Sequence, residues 1–282
     1  MSGALTAQLV RLRGQRSLRV LTGDPSGAAS GCTVFLVHGT GGRAEQWRLV
    51  WPGLLAAGHR VVAFDALGHG ASPTPRHWRS YAGPEWVADL RCLLDRETSA
   101  TKLLIGHSYG SLIALAALLL PGAPVERAVL LAPPAPDALP RAPRLAYLPV
   151  PVLEWMRPQL SAGFRAAAWG PDAATAMVDA ETVLSDRNSL YVFKAMWRQW
   201  LQLAPLALAG LTTPVQILAG EADRLTPPAG AQRLSDMLPH APLEVLPGCG
   251  HQIPLERPQA VVQAVLSVAL AAPVTAYAAG SL

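Results

Sequence analysis

The feature that most constrains this chain is a Gly-x-Ser-x-Gly motif at residues 106–110, which stands between two apolar runs. The run before it, residues 103–105, suits a short buried strand, and the run after it, residues 112–120, suits a helix. A serine on a sharp strand-to-helix turn presents its hydroxyl above the edge of the sheet, and the flanking glycines permit the tight backbone. The stretch therefore predicts that Ser108 is a nucleophile, provided that an acid and a histidine follow it.

Strand-like and helix-like segments alternate on both sides of this motif. Apolar–polar alternation over residues 8–21, interrupted by a turn, predicts an opening hairpin. Near-continuous β-type runs, which are typical of strands buried on both faces of a parallel sheet, lie at residues 32–37, 60–65, 103–105, 127–132, 213–219 and 243–246. We expect an α/β fold with a mostly parallel, eight-stranded sheet and helices on both faces.

The alternation stops between residues 133 and 212, where helix-like pieces occur without a convincing strand. We therefore expect a helical cap over 133–212, inserted into a core formed by residues 1–132 and 213–282. Half of the chain's eight tryptophans lie in this insert: Trp155, Trp169, Trp197 and Trp200. Two roles stay open for these side chains: packing the cap onto the core, or forming an apolar lid over the serine.

Composition excludes several classes of protein. The chain has 282 residues, of which 51% are hydrophobic and 15% charged, as in a packed globular protein. The net charge is +4, but the basic residues are scattered, so we predict no nucleic-acid partner. The three cysteines are far apart and no Cys/His cluster has metal-ligand spacing, so we expect neither a disulfide framework nor a metal site.

Targeting signals and cofactor motifs are not evident in the sequence. The first residues contain no apolar leader, and the run at 112–120 is too short to span a bilayer. We therefore predict a cytoplasmic protein without stable membrane insertion. No Gly-x-Gly-x-x-Gly follows a strand, and we predict no cofactor. The oligomeric state is not predicted.

A nucleophilic serine needs a general base, for which the chain offers seven histidines. His251 follows the last strand, at the sheet edge where the loops of parallel strands converge, and we assign it as the base. The histidines in glycine-rich turns are expected to shape those turns: His38, His69 and His107. Those in connecting segments are expected at the surface: His59, His77 and His240.

The base in turn needs an acid that fixes its tautomer. Asp223 follows the strand at 213–219 and is the predicted acid. Glu221 in the same loop is the alternative, and Asp137 is a more distant third. Asp65 also ends a strand but precedes the serine, and we expect it to brace the neighbouring loop.

The order Ser108, Asp223, His251 and five surrounding motifs resemble the α/β-hydrolase superfamily over nearly the whole chain. The motifs lie at residues 38–41, 65–70, 106–110, 220–223 and 250–251. The resemblance implies that Ser108 attacks an acyl carbonyl while His251 accepts its proton and Asp223 orients the imidazole. It also implies an oxyanion hole formed by the backbone N–H groups of Tyr109 and Thr40, and release of the acid by water without a cofactor.

Serine at position 108 excludes the branches that use aspartate there, such as epoxide hydrolases and haloalkane dehalogenases. We predict an esterase- or lipase-like hydrolase of a carboxylic ester or thioester. Because the insert is rich in tryptophan, we expect a small-molecule substrate with an apolar acyl or aromatic group. Substrate contacts are assigned to Gly39, Gly41, Trp155 and Trp197. Segments 160–164 and 189–193 also resemble a lipid-related branch of human α/β-hydrolase-domain proteins.

Three alternatives stay open. C–C bond hydrolases share a glycine-rich loop followed by a tryptophan, as at Trp47, but they usually have asparagine before the serine, where this chain has His107. Acyltransferases, lyases and perhydrolases use the same three residues without net hydrolysis. A ligand-binding protein on the same fold is the alternative of another class, because a fold does not determine a function.

Overall fold

A twisted sheet forms the centre of the computed structural model, which describes residues 5–135, 137, 143–199, 203 and 206–270. Its strands are β1 (Thr6–Arg11), β2 (Ser17–Gly23), β3 (Cys32–Val37), β4 (Arg60–Asp65), β5 (Thr101–His107), β6 (Arg127–Leu131), β7 (Val215–Gly220) and β8 (Leu243–Leu246). Their order across the sheet is β1-β2-β4-β3-β5-β6-β7-β8. β3 to β8 pair in parallel, while β1 and β2 pair antiparallel as a hairpin. The prediction of an eight-stranded, mostly parallel sheet is confirmed.

Burial follows position in the sheet. Every residue of the central strand β3 is buried, and β5 is buried apart from its first residue, as expected where helices cover both faces. The edge strand β1 is largely exposed, and Leu9 retains 64% of its accessible surface. The continuous apolar runs therefore mark the middle of the sheet, where the serine turn lies.

Within the described ranges, six helices of the core flank this sheet. They are α1 (Trp51–Ala56), α2 (Gly83–Arg96), α3 (Tyr109–Leu118), α8 (Pro228–Met237), α9 (Ile253–Glu256) and α10 (Pro258–Leu270). Side chains of α2, α3 and α8 join the buried cluster on one face, and those of α1 and α10 join the cluster on the other. Each fully buried leucine of these clusters stabilises the fold by about 1.5–3 kcal/mol.

Between β6 and β7 the described residues contain helices and no strand. The helices are α4 (Val150–Trp155), α5 (Arg157–Ala168), α6 (Thr175–Ser185) and α7 (Leu190–Gln199), with short 3-10 turns at Arg144–Tyr147 and Leu208–Gly210. Trp200, one of the four tryptophans of the insert, lies outside the described residues. No helix within the described ranges is long and apolar enough to cross a membrane.

Two polar side chains of the core illustrate a success and an error of sequence-based prediction. Asp65 braces the loops beside it, because its carboxylate accepts hydrogen bonds from the backbone N–H groups of Ala44 (2.7 Å) and Ala71 (2.8 Å). His59 was expected at the surface but is only 6% exposed, and its Nδ1 lies 2.9 Å from Ser30 Oγ. The surface prediction for His59 is wrong because a polar partner distant in sequence permits its burial.

Candidate active site

Ser108 sits on a strained turn between β5 and α3. Its backbone has φ 55° and ψ −124°, a conformation that residues with a side chain rarely adopt. A Cβ at Gly106 would lie 2.5 Å from Gly110 O, and one at Gly110 would lie 2.6 Å from His38 O. Since neither position has room for a side chain, the two glycines of the motif are required by close packing, and the turn holds the serine above the sheet edge.

Asp223 and His251 form a hydrogen-bonded pair at the same edge. His251 Nδ1 lies 2.7 Å from Asp223 Oδ2, and both residues are buried. Thr226 Oγ1 donates to Asp223 Oδ2 over 2.7 Å and lies 3.1 Å from His251 Nδ1. Burial alone would raise the pKa of Asp223, but the hydrogen bond and charge of His251, with the bonds from Thr226, outweigh it and lower the pKa. The carboxylate is therefore ionised at neutral pH and can orient the imidazole.

The other acid candidates lie elsewhere. Glu221 Oε2 accepts a hydrogen bond from the backbone N–H of Gly248 over 2.9 Å, on the exposed side of the loop. Asp137 is exposed and lies 3.6 Å from the guanidinium of Arg233. The structure therefore brings Asp223, and neither alternative, to His251.

His107, directly before the serine, supports the His251 loop. Its Nε2 donates to the carbonyl oxygen of His251 over 2.8 Å, and its Nδ1 lies 3.2 Å from the side-chain amide of Gln46. Burial, with the nearby His251, lowers the pKa of His107 to about 3. The ring is therefore neutral at pH 7, as one donor and one acceptor nitrogen require.

The loop after β3 runs alongside the serine. A Cβ at Gly39 would lie 2.8 Å from Ser108 Cβ, so only glycine fits this approach. His38 fixes the loop: its Nδ1 donates to Gly39 O over 2.6 Å, and its Nε2 accepts from Ala66 N over 2.9 Å. Thr40 Oγ1 is buried and has no hydrogen-bond partner among the described residues. The loop thus contributes one unsatisfied hydroxyl, that of Thr40, which lines the same cavity as Ser108.

Tyr109 is the first residue of α3, so its backbone N–H lies at the positive end of the helix dipole. Its ring is buried against Trp86, with the ring centroids 5.8 Å apart, and belongs to the core and not to the cavity surface. Of the two residues assigned to an oxyanion hole, Thr40 lines the cavity, and Tyr109 borders the serine turn through its backbone.

A cavity of about 360 Å³ lies above Ser108, between the sheet edge and the helices of the insert. Ser108 and His251 both line it, although in the described part of the chain the hydrogen bonds of the His251 side chain reach Asp223 and Thr226 and not Ser108. Its apolar lining comes from the insert: Pro143, Leu145, Leu160, Phe164, Trp169, Leu190, Phe193 and Trp197.

Three of the four residues assigned to substrate contact line the cavity, and the fourth does not. Gly39, Gly41 and Trp197 line the cavity. Trp155 does not: it is 79% exposed on the outside of the insert. The buried residue of α4 is Leu153. A residue two positions later in a helix lies on nearly the opposite side, so Trp155 faces outward. The assignment of Trp155 is therefore corrected.

Sequence reasoning missed other residues around the cavity. Trp169, Phe164 and Phe193 line it, but nothing in their local sequence distinguishes them from Trp155. Glu256 accepts hydrogen bonds from the backbone N–H groups on both sides of His251.

No group of three or more His, Cys, Asp or Glu side chains within the described ranges could hold a metal ion. The arrangement instead combines a hydroxyl, a hydrogen-bonded imidazole and carboxylate, and backbone donors around one cavity. These groups can perform nucleophilic acyl transfer with general acid–base assistance.

Known relatives agree with this architecture. Human protein ABHD8 is 29% identical over 83% of this chain, and the chain covers 54% of ABHD8, about half of its length. RutD of Variovorax paradoxus, which bears the name of a carbamate hydrolase, is 30% identical over 80% of this chain and 86% of its own. Epoxide hydrolase A of Mycobacterium tuberculosis is 27% identical over 94% of this chain and 97% of its own.

Solved structures share the fold. An esterase from Exiguobacterium antarcticum superposes with a TM-score of 0.77 at 19% identity, over 94% of this chain and 100% of its own. A 2-hydroxy-6-oxo-6-phenylhexa-2,4-dienoate hydrolase from a Rhodococcus strain superposes with a TM-score of 0.74 at 23% identity, over 94% of this chain and 100% of its own. Residues 34–264 match the profile of the alpha/beta hydrolase family. The chain belongs to the alpha/beta hydrolase family.

Proposed function

We propose that the protein is a serine hydrolase that cleaves a carboxylic ester or thioester through an acyl-enzyme. One observation carries the proposal: His251, which is hydrogen-bonded to Asp223, lines the same cavity as Ser108, whose backbone is strained on its turn. Strain is retained at such a position only where the surrounding structure imposes it, and functional sites are where it concentrates.

In the first step, His251 accepts the Ser108 proton as the hydroxyl attacks the acyl carbonyl. Asp223 holds the imidazole and stabilises its positive charge. The backbone N–H groups of Tyr109 and Thr40 bind the oxyanion, and each such donor is worth about 3–4 kcal/mol in the transition state. His251 then protonates the leaving group, and water activated by the same residue releases the acid.

The lining of the cavity supports the proposal that the substrate carries an apolar acyl or aromatic group. Four aromatic residues line the insert side: Phe164, Trp169, Phe193 and Trp197. Their contact with such a group would stabilise binding by about 25 cal/mol per Å² of apolar surface that is removed from water. Arg43 also lines the cavity and has no ion-pair partner among the described residues. A substrate panel should therefore include an ester that carries a carboxylate.

The test is hydrolysis of p-nitrophenyl esters of increasing acyl length. We expect turnover by the native protein and a loss of about 10⁴-fold or more in kcat for Ser108→Ala, as for removal of other catalytic serines. Ser161→Ala is the matched control, because Ser161 lines the same cavity from the insert and is expected to leave kcat unchanged. Undiminished turnover by Ser108→Ala would refute the mechanism.

The same panel addresses the alternatives. A carbamate belongs in it, because RutD is 30% identical and a carbamoyl group could be transferred to Ser108 in the same way. A substrate with a cleavable C–C bond tests C–C hydrolysis. An alcohol acceptor tests the non-hydrolytic alternatives, in which the three residues serve an acyltransferase, lyase or perhydrolase reaction. An epoxide is expected not to react, since the nucleophile is a serine. Binding without turnover of any of these would favour a ligand-binding protein.

A further inference from the structure

The backbone around His251 is held by one carboxylate. Glu256 Oε2 accepts hydrogen bonds from the N–H groups of Gly250 (2.9 Å) and Gly170 (2.9 Å), and Oε1 accepts one from Gln252 (3.1 Å). Gly250 and Gln252 are the two neighbours of His251, and Gly170 belongs to the insert. A single partly buried side chain thus ties both flanks of the proposed base to the insert.

The insert contacts the same loops through its carbonyl groups. At the end of α5, Ala168 O accepts a hydrogen bond from His251 N over 2.7 Å, and Ala167 O accepts one from Arg224 N over 3.2 Å. Arg224 directly follows Asp223. One segment of the insert, residues 167–170, is therefore bonded to the loops that carry the proposed acid and the proposed base.

The contact leaves no room at Gly170. A Cβ there would lie 2.7 Å from Glu256 Oε2 and 2.8 Å from Gly250 N, with Gly248 O nearer still. Trp169 stands between the two bonded positions Ala168 and Gly170, and it lines the cavity. A residue of the cavity lining is consequently part of the backbone segment that is bonded to the His251 loop.

We propose that Glu256 is a positioning residue and that residues 167–170 are a fixed part of the support of His251. The inference rests on the proposed function of His251. A carboxylate that accepts three N–H groups forms stronger hydrogen bonds than a neutral acceptor. Without its charge, the loop relaxes and the imidazole moves away from Ser108, and a displacement of about 1 Å can reduce turnover about 100-fold.

The test compares Glu256→Gln with Glu221→Gln. Both substitutions remove a carboxylate that binds backbone N–H groups of the loop at 248–252, but Glu221 binds only Gly248, on the exposed side. We expect Glu256→Gln to lower kcat about 100-fold, with KM changed by less than about threefold, because the substrate surface is intact. Glu256→Asp should recover part of kcat. Glu221→Gln should resemble the native protein.

A second pair approaches the contact from the insert. Gly170→Ala should reproduce the loss of kcat, whereas Gly163→Ala in α5, where a Cβ meets nothing within 4 Å, should not. Thermal unfolding reports the folded fraction of each variant. The inference is overturned if folded Glu256→Gln keeps native kcat, or if Glu221→Gln loses as much. A native protein without any esterase activity would instead refute the proposed function.

Discussion

The two walls of the cavity are built in different ways. On the sheet side, the proposed catalytic groups stand on loops held by short backbone hydrogen bonds and buried partners, as in the contact of His107 with His251. On the insert side, α5 and α6 each bury a single residue, Ala168 and Val178, and aromatic side chains of α5 and α7 line the cavity: Phe164, Phe193 and Trp197. From this difference we propose that the sheet side carries the chemistry and that the insert side selects the substrate.

Removing the acid from the sheet side is expected to have the largest effect. Asp223→Asn should lower kcat about 10⁴-fold, because an amide stabilises the wrong imidazole tautomer and no imidazolium charge. Glu221→Gln in the same loop is the control and should have little effect, since Glu221 binds Gly248. Steady-state kinetics on one ester decide the point. A mild Asp223→Asn and a severe Glu221→Gln would move the acid to Glu221.

At low pH, the sheet side is expected to lose stability before the insert side. Burial lowers the pKa of His38 to about 4 and those of His69 and His107 to about 3, while the insert at 133–212 contains no histidine. The unfolded chain binds these protons below about pH 6.5, so the stability contributed by the neutral rings is present above that pH and is lost as the pH falls toward 3–4. The summed loss over this whole range is on the order of 10 kcal/mol.

The measurement is the free energy of urea unfolding between pH 7 and pH 4.5. We expect His69→Gln to flatten its pH dependence, because one buried proton-binding site is lost. His77→Gln, at an exposed position, should leave the dependence unchanged. A free energy that stays constant over this pH range would contradict the account of buried neutral histidines.

The insert side should respond with changes in selectivity. Trp197→Ala removes an aromatic ring from the cavity and should raise KM for long-chain or aromatic esters about tenfold, with kcat for the acetyl ester nearly unchanged. Trp155→Ala is the matched control, because Trp155 is exposed and lies outside the cavity. Equal effects of both substitutions on the acyl-length profile would show that the cavity described above is not the substrate site.

Local sequence predicts the sheet side well for a physical reason. The burial of β3 and β5 requires continuous apolar runs, and the turn between β5 and α3 requires Gly106 and Gly110. These requirements act within a few residues, so they are visible without a structure. Local sequence places both Asp223 and Glu221 after β7, and only the fold brings Asp223 to His251.

The insert side could not be predicted in this way. Trp155 and Trp169 lie in similar surroundings in the sequence, and only the packing of α4 and α5 decides which of them meets the cavity. The contact between Gly170 and Glu256 joins positions 86 residues apart, and neither residue carries a local signal for it. Contacts between distant backbones depend on the completed fold.

The central claim is that Ser108 is an activated nucleophile. The most direct measurement is the mass of the intact protein after exposure to a fluorophosphonate, with digestion to locate the adduct. We expect one adduct in the native protein, on the peptide that contains Ser108, and none in Ser108→Ala. Failure of the folded native protein to react, or an equal adduct in Ser108→Ala, would contradict it.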